Sequence, residues 1–251
     1  DVIGPELAED LSFLQDKQPP FSMREARRAV EAALGGRLED HFTSFGSPIA
    51  AASIAQVHKA TVREADGTER AVAVKILRPG IERRFRRDLD SYYFAARMIE
   101  RFHKPSRRLR PVAVVDTLKR TTELEMDLRL EAAAISEMAE NIRDDTGLES
   151  GNFRVPRVDW LRTSQRVMTL EWIEGIPIWD HERLESAGID RKALGLVVLR
   201  SFLRHAMRDG FFHADMHPGN LFVDDEGNLV AVDFGIMGRL GPKERRFLAE
   251  I

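Results

Sequence analysis

The sequence predicts an α+β protein: a small strand-rich part that carries extra helices, followed by a mainly helical part. Three observations predict it. Residues 54–62 and 70–77 are strand-like apolar runs, and Ala65-Asp66-Gly67-Thr68 between them has the composition of a hairpin turn. Residues 221–223 and 229–232 repeat that arrangement around Asp225-Glu226-Gly227-Asn228. Stretches at 81–102, 112–141 and 191–208 carry apolar residues at helical spacing. The chain has 251 residues, 43% of them apolar and 31% charged, which suffices to bury a sizeable core.

Taken in order, residues 1–41 read as two helices. Gly4-Pro5 starts the first, Leu7, Leu11 and Leu14 form its apolar face, and Gln18-Pro19-Pro20 ends it. Ser22 and Glu25 have capping-box spacing for the second, which Gly35-Gly36 closes. The first hairpin follows an alanine-rich turn, Ala50-Ala51-Ala52-Ser53, and its second strand ends in Val72-Ala73-Val74-Lys75. A helix at 81–102 should face inward through Phe85, Leu89, Tyr92, Ala96 and Ile99. Pro105 and Pro111 bracket the link to a further helix at 112–141, on which Glu131 would share a face with Asp127. Residues 155–158 and 165–172 read as strands, the second passing through Glu174-Gly175 into the helical part. Asp190 caps a helix with Leu194, Val198, Phe202 and Ala206 inside, and Gly210 ends it. The expected segments are a helical extension at 1–41, the strand-rich part at 42–174 and the helical part at 175–251. A helical pattern runs on to residue 251, so the sequence reads as a portion of a longer protein.

Composition removes several functions. A net charge of −3 gives no case for nucleic acid as the main partner. The absence of cysteine excludes disulfides, thiolate metal sites and a cysteine nucleophile. No apolar run reaches the roughly 18 residues a membrane span needs, and the N-terminus is not a signal peptide. Between Arg78 and Arg110, eleven Lys or Arg face four acids. The plain reading is a solvated helix face and linker; the sharper one is a surface for anionic lipid head groups.

The chemistry concentrates in His213–Gly235, HADMHPGNLFVDDEGNLVAVDFG. A hairpin brings its two ends to one edge, so Asp215 and Asn220 before it should meet Asp233 after it. Asp-x-x-x-x-Asn followed by Asp-Phe-Gly is the arrangement of a kinase active site, in which the first Asp orients the acceptor and the Asn and second Asp hold magnesium on phosphates. Two more features stand upstream in kinase order. Lys75 closes an apolar strand as the phosphate-pairing lysine does, although a lone lysine there is usually just a solvated strand end. Ala50-x-Ala52-x-x-Ala55-x-Val57 shadows the glycine-rich phosphate loop with alanine at every glycine position. The fold class expected is therefore a protein-kinase-like two-lobed α+β fold. The departures are equally specific: His213-Ala214-Asp215 replaces His-Arg-Asp, no Ala-Pro-Glu occurs in the 16 residues after Gly235, and the helix glutamate comes 56 residues after Lys75.

With Ala50-Ala51-Ala52-Ser53 inside AAASIAQVHKA, Glu125-x-Asp127, and HADMHPGN followed by DFG, the sequence resembles the UbiB-type, aarF-domain (ADCK-like) atypical kinases, and within them the bacterial ubiquinone-biosynthesis branch. The likeness runs from about Leu11 to the C-terminus. It implies ATP or ADP and Mg²⁺ as cofactors. Asp215 takes the catalytic-base position, Lys75 pairs with Glu131 and contacts phosphates, and Asn220 and Asp233 ligate the metal. Ile49, Ala50, Ala51, Ala52, Ser53, Ile54, Ala55, Gln56 and Val57 form the nucleotide loop, and Met168, Glu171 and Ile173 the adenine-facing connector. Glu125 and Asp127 form a regulatory motif whose family partner, Lys-x-Gly-Gln, belongs on a helix ahead of the first residue here. The implied role is ATPase-type chemistry that supports ubiquinone biosynthesis on the cytoplasmic side of a bacterial inner membrane. The implied partners are a lipid or quinone precursor, an anionic membrane surface and ubiquinone-biosynthesis enzymes, with no nucleic acid.

Replacing all three glycines should reshape the phosphate cradle and alter nucleotide preference, because a Cβ restricts how closely backbone N–H groups approach phosphate. Two rival readings remain open at this point. One is a metal-dependent hydrolase using His213, Asp215, His217 and Asp233. The other is a non-catalytic scaffold that binds nucleotide or lipid.

Overall fold

The computed structural model describes residues 19–144 and 153–250; the helix expected at 1–17 lies outside them. By its internal contacts the chain divides into two compact units, one comprising residues 19–127 with 164–169 and the other the remaining described residues.

The first unit opens with α1, Met23–Leu34, where Ser22 and Glu25 form the expected capping box. After a short α2, Leu38–His41, come β1 (Ser44–Ala51), β2 (Ala55–Arg63) and β3 (Glu69–Leu77). The sheet order is β1, β2, β3 and then the strand Val167–Glu171, the first residues of which belong to this unit. Alternation decides the faces. Ala60, Val62, Val72, Val74 and Ile76 pack with Ala26 and Val30 of α1 into one core, while the residues between them point to the other face. β1 was not expected as a strand, because Gly46-Ser47-Pro48 breaks the apolar alternation. It pairs through two register shifts beside Pro48, which a sheet tolerates in an edge strand.

Two helices follow, α3 (Ile81–Phe102) and α4 (Pro111–Glu125), joined by a 3₁₀ turn at Lys104–Leu109. α3 has the expected bounds but a rotated inner face. Leu89 and Ala96 are buried against Val115, with Phe85 and Tyr93 beside them, whereas Tyr92 and Ile99 are exposed. The adjacent tyrosines are indistinguishable by type, and the Tyr93 hydroxyl is the one that reaches Asp116, at 2.6 Å.

The expected helix at 112–141 is two helices, α4 and α5 (Leu128–Arg143). Met126 leaves helical geometry, and Asp127 stands at the N-cap position of α5, a place that aspartate favours. No Gly or Pro marks the break, so the helical periodicity carried straight across it. Glu125 therefore ends one helix and Asp127 precedes the next, and the shared helix face expected for Asp127 and Glu131 is not formed.

The second unit continues with β4 (Phe153–Arg154), the last two residues of β5 (the strand Val167–Glu171) and β6 (Gly175–Pro177), then α6 (His181–Ser186) and α7 (Arg191–Arg204). Residues 155–158 were expected as a strand and give only an isolated bridge, Val158 to Leu170; Pro156 cannot donate to a ladder. Asp190 caps α7, accepting from the Lys192 and Ala193 N–H groups, and a π-turn, His205–Asp209, carries the helix to Gly210. Then come β7 (Phe211–His213), β8 (Leu221–Asp224), β9 (Leu229–Ala231), β10 (Met237–Arg239) and α8 (Pro242–Ala249). One sheet has the order β4, β9, β8, β6, and β7 pairs with β10 in a second. Among the described residues no helix is long and apolar enough to cross a membrane.

Candidate active site

The second unit assembles its polar residues around the β8–β9 hairpin. Leu221, Val223, Leu229, Val230 and Ala231 are buried, and Leu221 faces Ala231 in register. On β8 the buried Leu221 and Val223 flank the less buried Phe222, so a one-residue slip would turn that pair to the other face. The turn is held by Asp224, whose carboxylate accepts from the Glu226 and Asn228 N–H groups at 3.1 and 2.8 Å. Gly227 takes the positive φ of 83° that this turn needs. Asn220 and Asp233 consequently leave the two strands at the same edge, and the Val232 N–H donates to the Asn220 carbonyl at 3.0 Å.

The loop before the hairpin is braced from inside. His213 is 3% exposed; its Nδ1 accepts from the Asp215 N–H at 3.1 Å and its Nε2 donates to the Asp233 carbonyl. One ring thus links the backbone of both acids, and the Phe234 ring meets it edge-on at 4.9 Å between centroids. This pattern requires the neutral imidazole. Burial lowers the His213 pKa, against the opposing pull of the Asp233 carbonyl and the charges of Asp233 and Asp215. The Asn220 side-chain amide donates to the carbonyl and carboxylate of Asp215 at 3.3 and 3.4 Å. Asp215 remains exposed, with its carboxylate available.

Phe234 is buried, and its N–H donates to Glu131 Oε1 at 3.4 Å; Glu131 is itself 8% exposed on α5, beside the buried Ala132. The Asp233 carboxylate accepts from the Gly235 N–H at 3.0 Å. Of the residues predicted from sequence, this unit therefore brings together Glu131, Asp215, Asn220 and Asp233.

The first unit places the others on its sheet. Ala50, Val57 and Lys75 form one row across β1, β2 and β3, and the Ala52 N–H closes the intervening turn on the Ala55 carbonyl at 2.8 Å. Val57 and Lys75 lie on the face opposite the α1 core, whereas Gln56 points into it. Its side-chain oxygen accepts from the Phe21 N–H at 2.9 Å, and its nitrogen meets His58 at 2.8 Å. Gln56 thus offers only backbone to the face that carries Lys75. Ile49, Ala50 and Ala52 are exposed, Ala51, Ser53 and Ile54 half-buried, and Ala55 buried. Among the described residues the one non-glycine with positive φ is Arg110, so the alanines here adopt ordinary backbone. Met168 is fully buried in β5. Ile173 is half-buried beyond β5, and Glu125 is exposed at the end of α4.

Two structural residues were not singled out from the sequence. Arg154 bridges Glu171 at 3.0 Å and Asp224 at 2.7 Å. Burial alone would raise the Asp224 pKa, but the Arg154 and Asn228 hydrogen bonds outweigh it and the pKa is lowered. Glu171 also accepts from the Arg157 N–H at 3.1 Å, so its carboxylate serves the scaffold and its backbone is what remains for a ligand. An aspartate two residues ahead of Glu-Gly marks such a turn; nothing local marks Arg154, which is 70 residues away.

The donor set suits magnesium and not the alternative cluster. Carboxylate and amide oxygens are the hard ligands Mg²⁺ takes, with phosphate oxygens completing its shell. Both ring nitrogens of His213 are committed within the protein, and among the described residues no three His, Asp or Glu converge on a metal position.

Residues 13–251 match the ABC1 atypical kinase-like domain. The chain belongs to this family. It is 43% identical over 258 residues to a protein named probable protein kinase UbiB from Xanthomonas euvesicatoria, covering 100% of this chain and 45% of that one. The identity is 40% over 254 residues to the protein of the same name from Marinobacter nauticus, covering 99% and 45%. The chain thus spans about half the length of the curated relatives it matches. Among solved structures, one titled as the complex of Rv3197 with erythromycin, from Mycobacterium tuberculosis, superposes with a TM-score of 0.68 at 33% identity, covering 95% of this chain and 57% of that one. The kinase-like α+β fold expected from the sequence is the fold of the family.

Proposed function

We propose that this chain carries the nucleotide site of an atypical kinase or ATPase that binds Mg-ATP and supports ubiquinone biosynthesis at a membrane, acting on lipid or quinone precursors and not on protein substrates in trans. The observation that carries the reading is the second unit's edge: Asp215, Asn220 and Asp233 gathered at the open end of one hairpin and locked by His213 and Glu131. In this reading Asn220 and Asp233 hold the magnesium, which would neutralise phosphate charge as the terminal phosphoryl group leaves. Asp215 accepts a hydrogen bond from the attacking water or hydroxyl, and Asn220 fixes its angle. His213 keeps the two acids' backbones in place without adding a positive charge of its own. Lys75 and the Ala50–Val57 turn supply phosphate contacts, and Met168 with the backbone of Glu171 and Ile173 supplies the adenine contacts. Glu125 and Asp127 regulate the site, and the anionic membrane surface and ubiquinone-biosynthesis enzymes are the partners.

The test is magnesium-dependent ATP turnover by wild type and Asp233→Asn, with nucleotide affinity measured in parallel. The expected result is a loss of about a hundredfold or more in turnover. If wild type binds ATP and both proteins hydrolyse it equally slowly, the protein is a nucleotide-binding scaffold. If neither binds nucleotide, the whole reading fails.

A further inference from the structure

The tip of the α3–α4 hairpin combines cations with exposed apolar side chains. From Arg101 to Val115 there is no acidic residue, and Arg101, Lys104, Arg107, Arg108 and Arg110 supply five cations. Every residue from 101 to 110 except Ser106 is exposed, among them two large apolar side chains, Phe102 at 73% and Leu109 at 63%. Their exposure does not come from a loose backbone. Arg107 folds back to donate to the Glu100 carbonyl at 2.5 Å and the Arg101 carbonyl at 3.1 Å, and Glu100 accepts from the Val112 N–H at 3.1 Å. His103 meets Ser106 at 2.8 Å. The tip is pinned, with its apolar groups pointing out.

Charge and strain point the same way. Many arginines elsewhere are ion-paired, among them Arg27, Arg70, Arg154 and Arg239. Lys104, Arg108 and Arg110 have no carboxylate partner among the described residues, and Arg101 lies over the Phe102 ring at 5.5 Å. Arg110 holds a φ of 48°, a left-handed conformation that glycine or asparagine adopts more cheaply. A strained arginine, two bare apolar side chains and unpaired cations suit an environment that is anionic at one depth and apolar just beyond it.

We propose that the tip Phe102–Arg110 docks into an anionic membrane interface, with Phe102 and Leu109 entering the acyl boundary and Arg101, Lys104, Arg108 and Arg110 holding lipid phosphates. This deepens the membrane part of the function proposed above by naming the element that makes contact. It is tested without nucleotide, so the two readings fail separately.

The chain has no cysteine, so single-cysteine variants take one label each. An environment-sensitive fluorophore on Phe102→Cys or Leu109→Cys should shift to the blue with phosphatidylglycerol/phosphatidylcholine vesicles. The same label on Leu161→Cys or Trp179→Cys, which replace exposed apolar side chains elsewhere, should not shift. Neutralising the tip by Arg108→Gln with Arg110→Asn should weaken vesicle binding roughly five-fold per cation. Phe102→Ser with Leu109→Ser should weaken it about tenfold or more. Raised salt should weaken binding of wild type more than that of the neutralised variant. Equal shifts at all four labelled positions, equal binding to pure phosphatidylcholine, or binding insensitive to both double variants would overturn the proposal. A dimer in solution that Phe102→Ser with Leu109→Ser dissolves, with no vesicle binding by wild type, would assign the tip to a second copy of the chain instead.

Discussion

The hairpin edge of the second unit and the alanine turn of the first both carry residues expected to meet a nucleotide, yet they are built in opposite ways. Around Asp215, Asn220 and Asp233, nearly every polar group is tied to a backbone group or to a buried side chain, and His213, Phe234 and Glu131 lie almost fully out of water. The turn at Ala52–Ile54 is closed by a backbone hydrogen bond, and its side chains carry no charge and are exposed or partly exposed. One region positions side chains; the other presents backbone. Mutations should therefore reveal themselves as lost stability in the first region and as altered ligand preference in the second.

The largest effect expected is at Gly210. It sits at φ 65°, and an added Cβ would run into the Leu240 carbonyl oxygen. Gly210→Ala should cost about 3 kcal/mol, read as a lower denaturant midpoint with unchanged slope. A cost below about 1 kcal/mol would show that this end of the loop adapts, and would blunt the contrast. Next is Asp224→Ala, which removes the Arg154 pair and the turn's side-chain acceptor together. About 2 kcal/mol is expected. The lowered pKa adds a pH signature: the carboxylate's contribution is present above its unfolded pKa of about 3.9 and is lost as pH falls through the lower folded value. The variant's acid unfolding should thus be shallower than that of wild type.

His213 gives a smaller effect in a different window. Its folded pKa is lowered, so below the unfolded value of about 6.5 the unfolded chain binds a proton that the folded one refuses. Stability should fall as pH drops from 7 towards 5, and His213→Asn should flatten that part of the profile. The smallest effect on stability belongs to the alanine turn. Ala52→Gly should change stability by less than about 1 kcal/mol while shifting the ratio of ATP to ADP affinity. An unchanged ratio would remove the argument that the three alanines tune nucleotide preference.

The sequence by itself determined the parts whose information is local. Alternation and turn residues marked β2, β3 and the β8–β9 hairpin; capping residues marked α1 and α7; and the spacing of Asp215, Asn220 and Asp233 around the hairpin put them at one edge. Physical reason explains this success, since a hairpin's register follows from its own strands and turn. The edge strand β1, with Pro48 in its middle, was illegible because its pairing depends on β2 and not on its own pattern. The break at Met126–Asp127 was illegible because both flanks favour helix. Tyr93 instead of Tyr92 on the inner face of α3 was decided by Asp116 on another helix. Gln56 and Glu171, counted with the ligand-facing residues, were turned to structural partners by Phe21, His58, Arg154 and the Arg157 backbone. Which polar side chain is consumed by the scaffold and which stays free depends on neighbours brought from tens of residues away. Only the tertiary structure supplies those neighbours.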